Sequence, residues 1–450
     1  LPIKSISTIP HTPTQATHLR PAFLQHTMEP SVPKKPRPTY SIILFYNYRS
    51  TPDGTPVPPM DIPAFCQAHK ELCTSLHLTG RVLIANEGIN GTLATTNRTQ
   101  LDQYTNYLLK HPLFTLVEAD FKRSTSTFEP FPDLFIKPVK EIISTGGLIP
   151  VPLPGQGGTH LTPHEFHAKL TDTTTAKETV VLDIRNHTEY MVGHFKNAID
   201  PNCRTFAEFP RYLTQKAAEL KDKTVLMYCT GGVRCEKASY HLKQLGVEEV
   251  YQLKGGVHKY LEAFPQGGEW NGKNFVFDKR VSEVCGCCCG VGGCTRYIDF
   301  FGEFFCCCEQ CFQPTPNMDP TKLVVGQCYE CACPFDVLDG NTVCTVCRDM
   351  VLLCHQCRSQ LKFQYHCNNH MHLKHCYFTD LSSFSPDELN NQKNELSEIV
   401  RTMKQVEKKK LKETKNARRT LNKQIKKLED ELEERGNGSG SGGVVKCAST

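Results

Sequence analysis

Residues 225–238 read VLMYCTGGVRCEKA. Val225 to Tyr228 is an apolar run of the length of a fully buried strand. A thiol, two glycines and an arginine follow, and helical spacing begins at about Glu236. In open α/β folds, ligands sit beyond the carboxyl ends of the parallel strands. Cys229 stands at such an end. The loop Thr230-Gly231-Gly232-Val233 is able to curl so that backbone N–H groups and a helix dipole converge on one centre, an environment that favours an anion. A thiol at the start of that loop, beside Arg234, is expected to be exposed, to have a lowered pKa and to react as thiolate.

The flanking sequence repeats the pattern. Residues 180–184 and 250–253 are further buried strands, the second ending at Gly255-Gly256. Thr162-Pro163-His164-Glu165 is a capping box with proline at the first helical position. Strands alternating with helices give a parallel-sheet α/β domain over residues 160–282. Gly255-Gly256 permits close backbone approach to the cysteine loop. Asp183 and Arg185 brace the loop as a charge-assisted pair, and His194 packs in a turn. A Pro/Gly-rich linker, 146–159, precedes this domain. Upstream, residues 40–145 follow a β-α-β-β-α-β order, with Asn90-Gly91 as a hairpin turn, and fit a ferredoxin-like α+β module.

Length and composition bound the rest. A chain of 450 residues with 39% hydrophobic and 22% charged residues is globular, and at roughly 150 residues per domain it holds about three domains. No run reaches the roughly 18 apolar residues of a membrane helix, so the reading includes no membrane. Residues 1–39 hold eight Pro, nine Ser/Thr and one acid, Glu29; they form a disordered leader. The leader is an organellar transit peptide, a tail, or sequence upstream of a start at Met28; the cytoplasm is the main expectation and an organelle the alternative. The net charge of +5 is concentrated in residues 401–427, where 12 Lys/Arg face two Glu. A capping box at Ser385-Pro386-Asp387-Glu388 opens one long basic helix, 385–435, read as a solvated arm, a nucleic-acid arm or a short coiled coil. A flexible tail, 436–450, follows.

Of 24 cysteines, 18 lie between Cys285 and Cys376. Paired C-x-x-C spacing without a secretory signal reads as metal ligation in a reducing compartment. In the zinc-binding region, 328–380, Cys328, Cys331, Cys344 and Cys347 have zinc-ribbon spacing. Cys354, Cys357, Cys367 and Cys376 supply a second site, with His366, His370, His372 and His375 as alternative ligands. Spacing leaves open whether the two sets interleave. The Cys-rich insert, 283–327, is too dense in thiols for one ion. Arg81, Lys122, Arg123, Lys137 and Lys140 are candidates for a phosphate track.

The motifs resemble a known family. Asp183-Ile184-Arg185, Glu189-Tyr190, Gly193-His194-Phe195 and the Cys229–Cys235 loop resemble the signatures of a rhodanese-like domain, in which the loop cysteine carries a persulfide. Glu87-Gly88-Ile89-Asn90-Gly91-Thr92, Lys140-Glu141-Ile142, His160-Leu161-Thr162-Pro163 and residues 275–281 are similar to the rhodanese-type tRNA uridine hydroxylases. The resemblance covers about residues 40–282 and implies oxygen-dependent 5-hydroxylation of the wobble uridine. The catalytic residues are then Cys229, Arg234 and Cys235, the last matching a second cysteine typical of that family. Thr230, Gly231, Gly232, Val233, Gly255, Gly256, Asp183 and Arg185 support the loop. Zinc is structural; dioxygen and an unknown reductant are co-substrates. tRNA is the partner, and a sulfur-donor or reductant protein is a further one. Two other functions compete: a sulfurtransferase working through a Cys229 persulfide, and a non-catalytic zinc-dependent nucleic-acid adaptor. The Cys-rich insert and basic helix depart from the simpler bacterial-type pattern.

Overall fold

The computed structural model describes residues 38–49, 57–174, 177–284, 296–298, 304–306, 324–361, 364–406 and 413–438. Most of the leader, the tail and the side chains of the cysteines from Cys285 to Cys311 lie outside the described residues.

The first module runs β1 (Tyr40–Tyr48), α1 (Ile62–Ser75), β2 (Thr79–Ala85), β3 (Gly88–Thr95), α2 (Arg98–Leu109), β4 (Lys122–Ser126) and β5 (Leu134–Pro138). The sheet order is β4-β1-β3-β2-β5, antiparallel except for β2 beside β5. Alternation sorts its two faces. Ile43, Phe45, Val82 and Ile84 pack against Leu101, Tyr104 and Leu108 of α2. Leu44, Tyr46, Arg81 and Leu83 occupy the opposite face. Both helices are capped: Asp61 accepts from Ala64 N–H and Asn97 from Thr99 N–H, supplying partners for otherwise orphaned donors.

One sequence expectation fails here. Asn90-Gly91 is not the hairpin turn; Ala85 pairs with Gly88, so Asn86-Glu87 turn the chain. Gly91 lies within β3 because a Cβ there would sit 2.8 Å from Phe45 Cζ and 3.1 Å from Val82 Cγ2. The glycine serves packing under Phe45.

The second module comprises β6 (Thr159–Leu161), α3 (Pro163–Thr171), β7 (Thr179–Asp183), α4 (His187–Tyr190), β8 (Gly193–Phe195), α5 (Phe209–Leu220), β9 (Thr224–Tyr228), α6 (Val233–Gln244), β10 (Val250–Leu253) and α7 (Gly256–Ala263). Its parallel sheet has the order β6-β10-β9-β7. Helices cover both faces. Val225 and Met227 pack with Phe209, Leu213 and Leu242, and Leu226 and Tyr228 with Phe166, Val257 and Tyr260. Every residue of β9 is buried, which explains its unbroken apolar run. The strands β11 (Trp270–Phe275) and β12 (Ser282–Val284) form a small antiparallel sheet with β8.

Further on, β13 (Arg296–Ile298) pairs with β14 (Phe304–Cys306). α8 (His355–Leu361) lies within the cysteine region, followed by α9 (Pro386–Val406) and α10 (Glu413–Gly438). The single long helix is therefore two. Leu389, Leu396 and Val400 of α9 share one buried cluster with Leu421 and Leu428 of α10 and with Leu373, Cys376 and Tyr377. Arg435, near the end of α10, donates to the carbonyls of Leu381 and Phe384 just before α9, so the two run antiparallel. The segment expected to form one solvated arm instead buries its apolar residues by folding back on itself.

Candidate active site

Cys229 ends β9 and opens the loop into α6. Its sulfur accepts the Gly232 N–H at 3.1 Å. Burial would raise the thiol's pKa, but a hydrogen bond from Cys235, the positive charge of Arg234 and the N–H groups of Arg234 and Gly232 hold it at about 5. Cys235 is pushed the other way, by its own burial and by the neighbouring Cys229. It keeps its proton and donates. The second cysteine is thus placed to support an anionic first one.

Arg234 acts on the sulfur through charge, since its guanidinium is held by Glu189: Nη1 to Oε1 at 2.5 Å and Nη2 to Oε2 at 2.8 Å. Thr230 Oγ1 donates to Glu189 Oε2 and accepts from Arg234. Below the loop, Arg185 and Asp183 form a fully buried pair, with Tyr228 Oη donating to Asp183 at 2.6 Å. The charge-assisted pair expected from the sequence is present, tied to Tyr228 immediately before the loop and to the Gly193 carbonyl. His194 stacks on Tyr190 with ring centroids 4.0 Å apart.

Gly256 has φ +67°, and a Cβ there would lie 2.4 Å from the Cys229 carbonyl. Only glycine allows α7 to start against the loop, where Val257 N–H donates to Cys229 O. Gly232, φ +107°, would meet Tyr46 Oη at 2.8 Å, and a Cβ on Gly231 would meet Leu44 at 2.9 Å. Hence the expectation of an exposed loop is corrected: Cys229 is fully buried in the core of its own module, and β1 of the first module packs on the Gly231-Gly232 turn that follows it.

The contact between modules is polar and specific. Tyr46 Oη donates to Glu236 and Tyr48 Oη to the Val233 carbonyl. Glu236 also meets His160 Nε2 at 2.9 Å. Lys237 is fully buried and bonds both Glu87 and Glu141. Burial pushes Glu87 up; at Glu141 it is outweighed by hydrogen bonds from Lys237, Thr145 and the Gly147 N–H, which hold the carboxyl at about 2. Glu87, Glu141, Glu189, Glu236 and Lys237 stand inside the sequence motifs, yet the motifs alone assign them no role. The available signal was charge standing inside otherwise apolar or glycine-rich motifs.

Two cavities flank Tyr46. One, of 460 Å³, is lined by Lys122, His160, Glu236, Lys254 and Lys259. Burial lowers Lys122 to about 8 despite the nearby Asp120, Cys229 and Glu236 charges. The other, of 520 Å³, reaches the cysteine loop at Thr230, Gly231, Val233 and Arg234. The five-cation phosphate track does not assemble as drawn. Arg81 pairs with Asp133, Arg123 pairs with Asp102 and Glu118, and Lys122 is buried; Lys137 and Lys140 are exposed.

The metal-ligand pairing also differs from the linear grouping. Cys328 and Cys331 gather with Cys354 and Cys357, whereas Cys344 and Cys347 gather with Cys367 and His370, each set with ligand atoms within 4.8 Å of one another. Alternate pairs share a site because the chain crosses between them: Tyr329 N–H bonds Leu352 O, and Thr345 N–H bonds Tyr365 O. Sulfur separations of 3.7 Å for Cys331–Cys354 and for Cys347–Cys367 match the edge of a tetrahedron with metal–sulfur bonds of about 2.3 Å. Both sets fit a metal ion. Cys376 joins neither. It is buried among Leu373, Leu389 and Leu396, and burial with the adjacent Glu395 pushes its thiol up to about 12. The region docks on the second module, where Tyr329 meets His187, and Lys273 pairs with Asp336.

Residues 40–142 match the UPF0176 acylphosphatase like domain, and residues 162–263 match the Rhodanese-like domain. A protein named tRNA uridine(34) hydroxylase from Onion yellows phytoplasma is 39% identical over 244 residues, spanning 54% of this chain and 74% of its own length. Another of that name, from Bartonella bacilliformis, is 36% identical over 266 residues and 84% of its length. Rhodanese-like domain-containing protein 6 of Arabidopsis thaliana is 32% identical over 337 residues, 71% of this chain and 51% of its own. Among solved structures, a rhodanese-like domain from Anabaena aligns at 24% identity with a TM-score of 0.21, over 25% of this chain and 78% of that one. Two module matches in the order the motifs suggested, and relatives matched over most of their length, settle the kinship: the chain belongs to the tRNA uridine(34) hydroxylase family.

Proposed function

We propose that this protein is a tRNA-modifying oxidoreductase that 5-hydroxylates the wobble uridine of tRNA anticodons, with Cys229 as its catalytic thiolate. One observation carries the site: a buried sulfur at the end of β9 is held as an anion by Arg234, Cys235 and the Gly232 N–H. Dioxygen supplies the oxygen atom inserted at the C5–H bond, and a reductant provides two electrons that, with two protons, let the second atom leave as water. Arg234 sustains the charge on the sulfur, Cys235 donates to it, and Asp183, Arg185, Glu189, Thr230 and Gly256 fix the loop. Leu44 and Tyr46 exclude water from above. Zinc, held by Cys328, Cys331, Cys354 and Cys357 and by Cys344, Cys347, Cys367 and His370, folds the region against the second module. So many thiols require a reducing compartment, and the cytoplasm is the one proposed.

A sulfurtransferase reading draws on the same anion cradle, which would also suit a persulfide. The two separate on products. Nucleoside mass spectrometry of tRNA from cells lacking the gene should lose 5-hydroxyuridine-type wobble nucleosides, restored by the wild type and not by Cys229→Ala. Unchanged tRNA, together with thiosulfate-dependent sulfur transfer by the purified protein, would establish the sulfurtransferase instead.

A further inference from the structure

The sheet face of the first module that turns away from its helices is only partly covered by the second. Over the uncovered part lies the 520 Å³ cavity that ends on the loop from Thr230 to Arg234. Two aromatic rings line it while remaining in solvent: Phe135 is 51% and Phe277 58% exposed. Each has a guanidinium near one face, Arg81 at 6.0 Å from the Phe135 centroid and Arg234 at 5.6 Å from that of Phe277. Large rings gathered on one concave surface mark a place meant to be covered.

We infer that this cavity receives the target nucleotide, with Phe277 and Phe135 stacking the pyrimidine base beside the cysteine loop. The inference rests on the function proposed above and names how the substrate is positioned. The volume falls within the roughly 300–1,000 Å³ of small-ligand sites, and its walls are mainly apolar, with Asn90, Ser144 and Thr205 among the polar residues that line it. Phe135 and Lys137 are two residues apart on β5 and so share a face. A base on the Phe135 ring therefore places its backbone phosphate within the field of an exposed ammonium. A pyrimidine recognised in an RNA loop is read in this manner, unstacked from its neighbours and laid on aromatic side chains. An apolar peptide or a second copy of the chain would gain nothing from the exposed Lys137 ammonium on the Phe135 face of β5.

The test uses the full chain and an anticodon stem–loop carrying 4-thiouridine at the wobble position. Irradiation should crosslink it to the peptides containing Phe135 or Phe277; crosslinks confined to other surfaces overturn the inference, whether or not the protein turns over. Phe277→Ala and Phe135→Ala should each lower kcat/KM for tRNA by roughly 5- to 150-fold, the equivalent of about 1–3 kcal/mol of stacking at 1.4 kcal/mol per tenfold. The loss should fall mainly on KM. Phe277→Trp should restore binding and Phe277→Leu should not, which separates stacking from mere filling of space. Alkylation of Cys229 should be unchanged in all of them. If the wild type hydroxylates tRNA and both alanine variants match it, the stacking role is wrong and the function stands. If the wobble base crosslinks to these rings but is never hydroxylated, the function is wrong and the pocket stands. A concentration-dependent dimer abolished by Phe277→Ala, without RNA crosslinks, would assign the surface to self-association.

Discussion

Cys229 owes its lowered pKa to a balance in which burial loses. The folded-state value of about 5 lies below the ordinary thiol value of about 8.5. Ionisation therefore contributes stability that is fully present above about 8.5 and is lost as pH falls through about 5. Iodoacetamide labelling, read by mass spectrometry, should show a midpoint near pH 5, moved upward in Cys235→Ala because a donor to the anion is gone. A midpoint unmoved by that change would reassign Cys235 to packing alone. Glu189 is the more consequential neighbour for stability, since it neutralises an almost fully buried Arg234. Removing one partner of such a pair costs about 3–5 kcal/mol because the other charge stays buried. Urea denaturation of Glu189→Ala should find a loss of that order, together with loss of activity.

At the scale of elements, the junction between β1 and α6 ties the two modules together. Among the described residues, Lys237 is the cation bonded to both Glu87 and Glu141. Lys237→Met leaves two partly buried carboxylates without it, so melting should separate into two transitions where the wild type shows one. A single, unshifted transition would show that the modules are joined by other contacts. The metal region makes an equally specific claim about connectivity. With Cys328 and Cys331 both changed to Ser, Cys354 and Cys357 should become alkylatable and half of the bound zinc should be lost, while Cys344 and Cys347 stay protected. Protection of Cys354 and Cys357 in that variant would restore the linear pairing.

For the whole molecule, the relevant question is how a tRNA is held while one base is presented. The apolar side of α10 is committed to α9 and the metal region, so truncating the pair would expose that cluster and confuse binding with folding. The cations Arg419, Lys423, Lys426 and Lys427 are exposed on α10. Their charges suit phosphate binding without base selection. Changing all four to Gln should weaken tRNA binding and reduce the salt slope by roughly 0.7–0.9 for each phosphate that is no longer neutralised. The identity of the modified nucleotide and the melting temperature should hold. An unchanged salt slope would remove this helix from the RNA-binding surface.

Local chemistry made much of this legible in one dimension. A continuous apolar strand, a Gly-Gly loop, a thiol and a helix start are contiguous, so the loop around Cys229 and the parallel sheet beneath it were readable, as were the capping boxes at Thr162 and Ser385. Cysteine spacing marked the thiol pairs that come together in two possible metal sites, because each knuckle is set within four residues. What folding decided was everything that depends on distant segments meeting. Asn90-Gly91 has the composition of a turn, yet Phe45, on a strand far upstream, needs the space above Gly91. Apolar residues recur at helical spacing on both sides of a charged middle, and periodicity does not reveal that the two halves bury each other. Ligand pairing depended on the chain crossing between knuckles, which carried Cys376 into an apolar cluster and brought His370 to the thiols. Above all, the Gly231-Gly232 turn after Cys229 is covered by Leu44 and Tyr46, nearly two hundred residues earlier in the chain. A sequence places a reactive group on its own strand and loop; which surface closes over it depends on long-range packing, which local propensity does not encode.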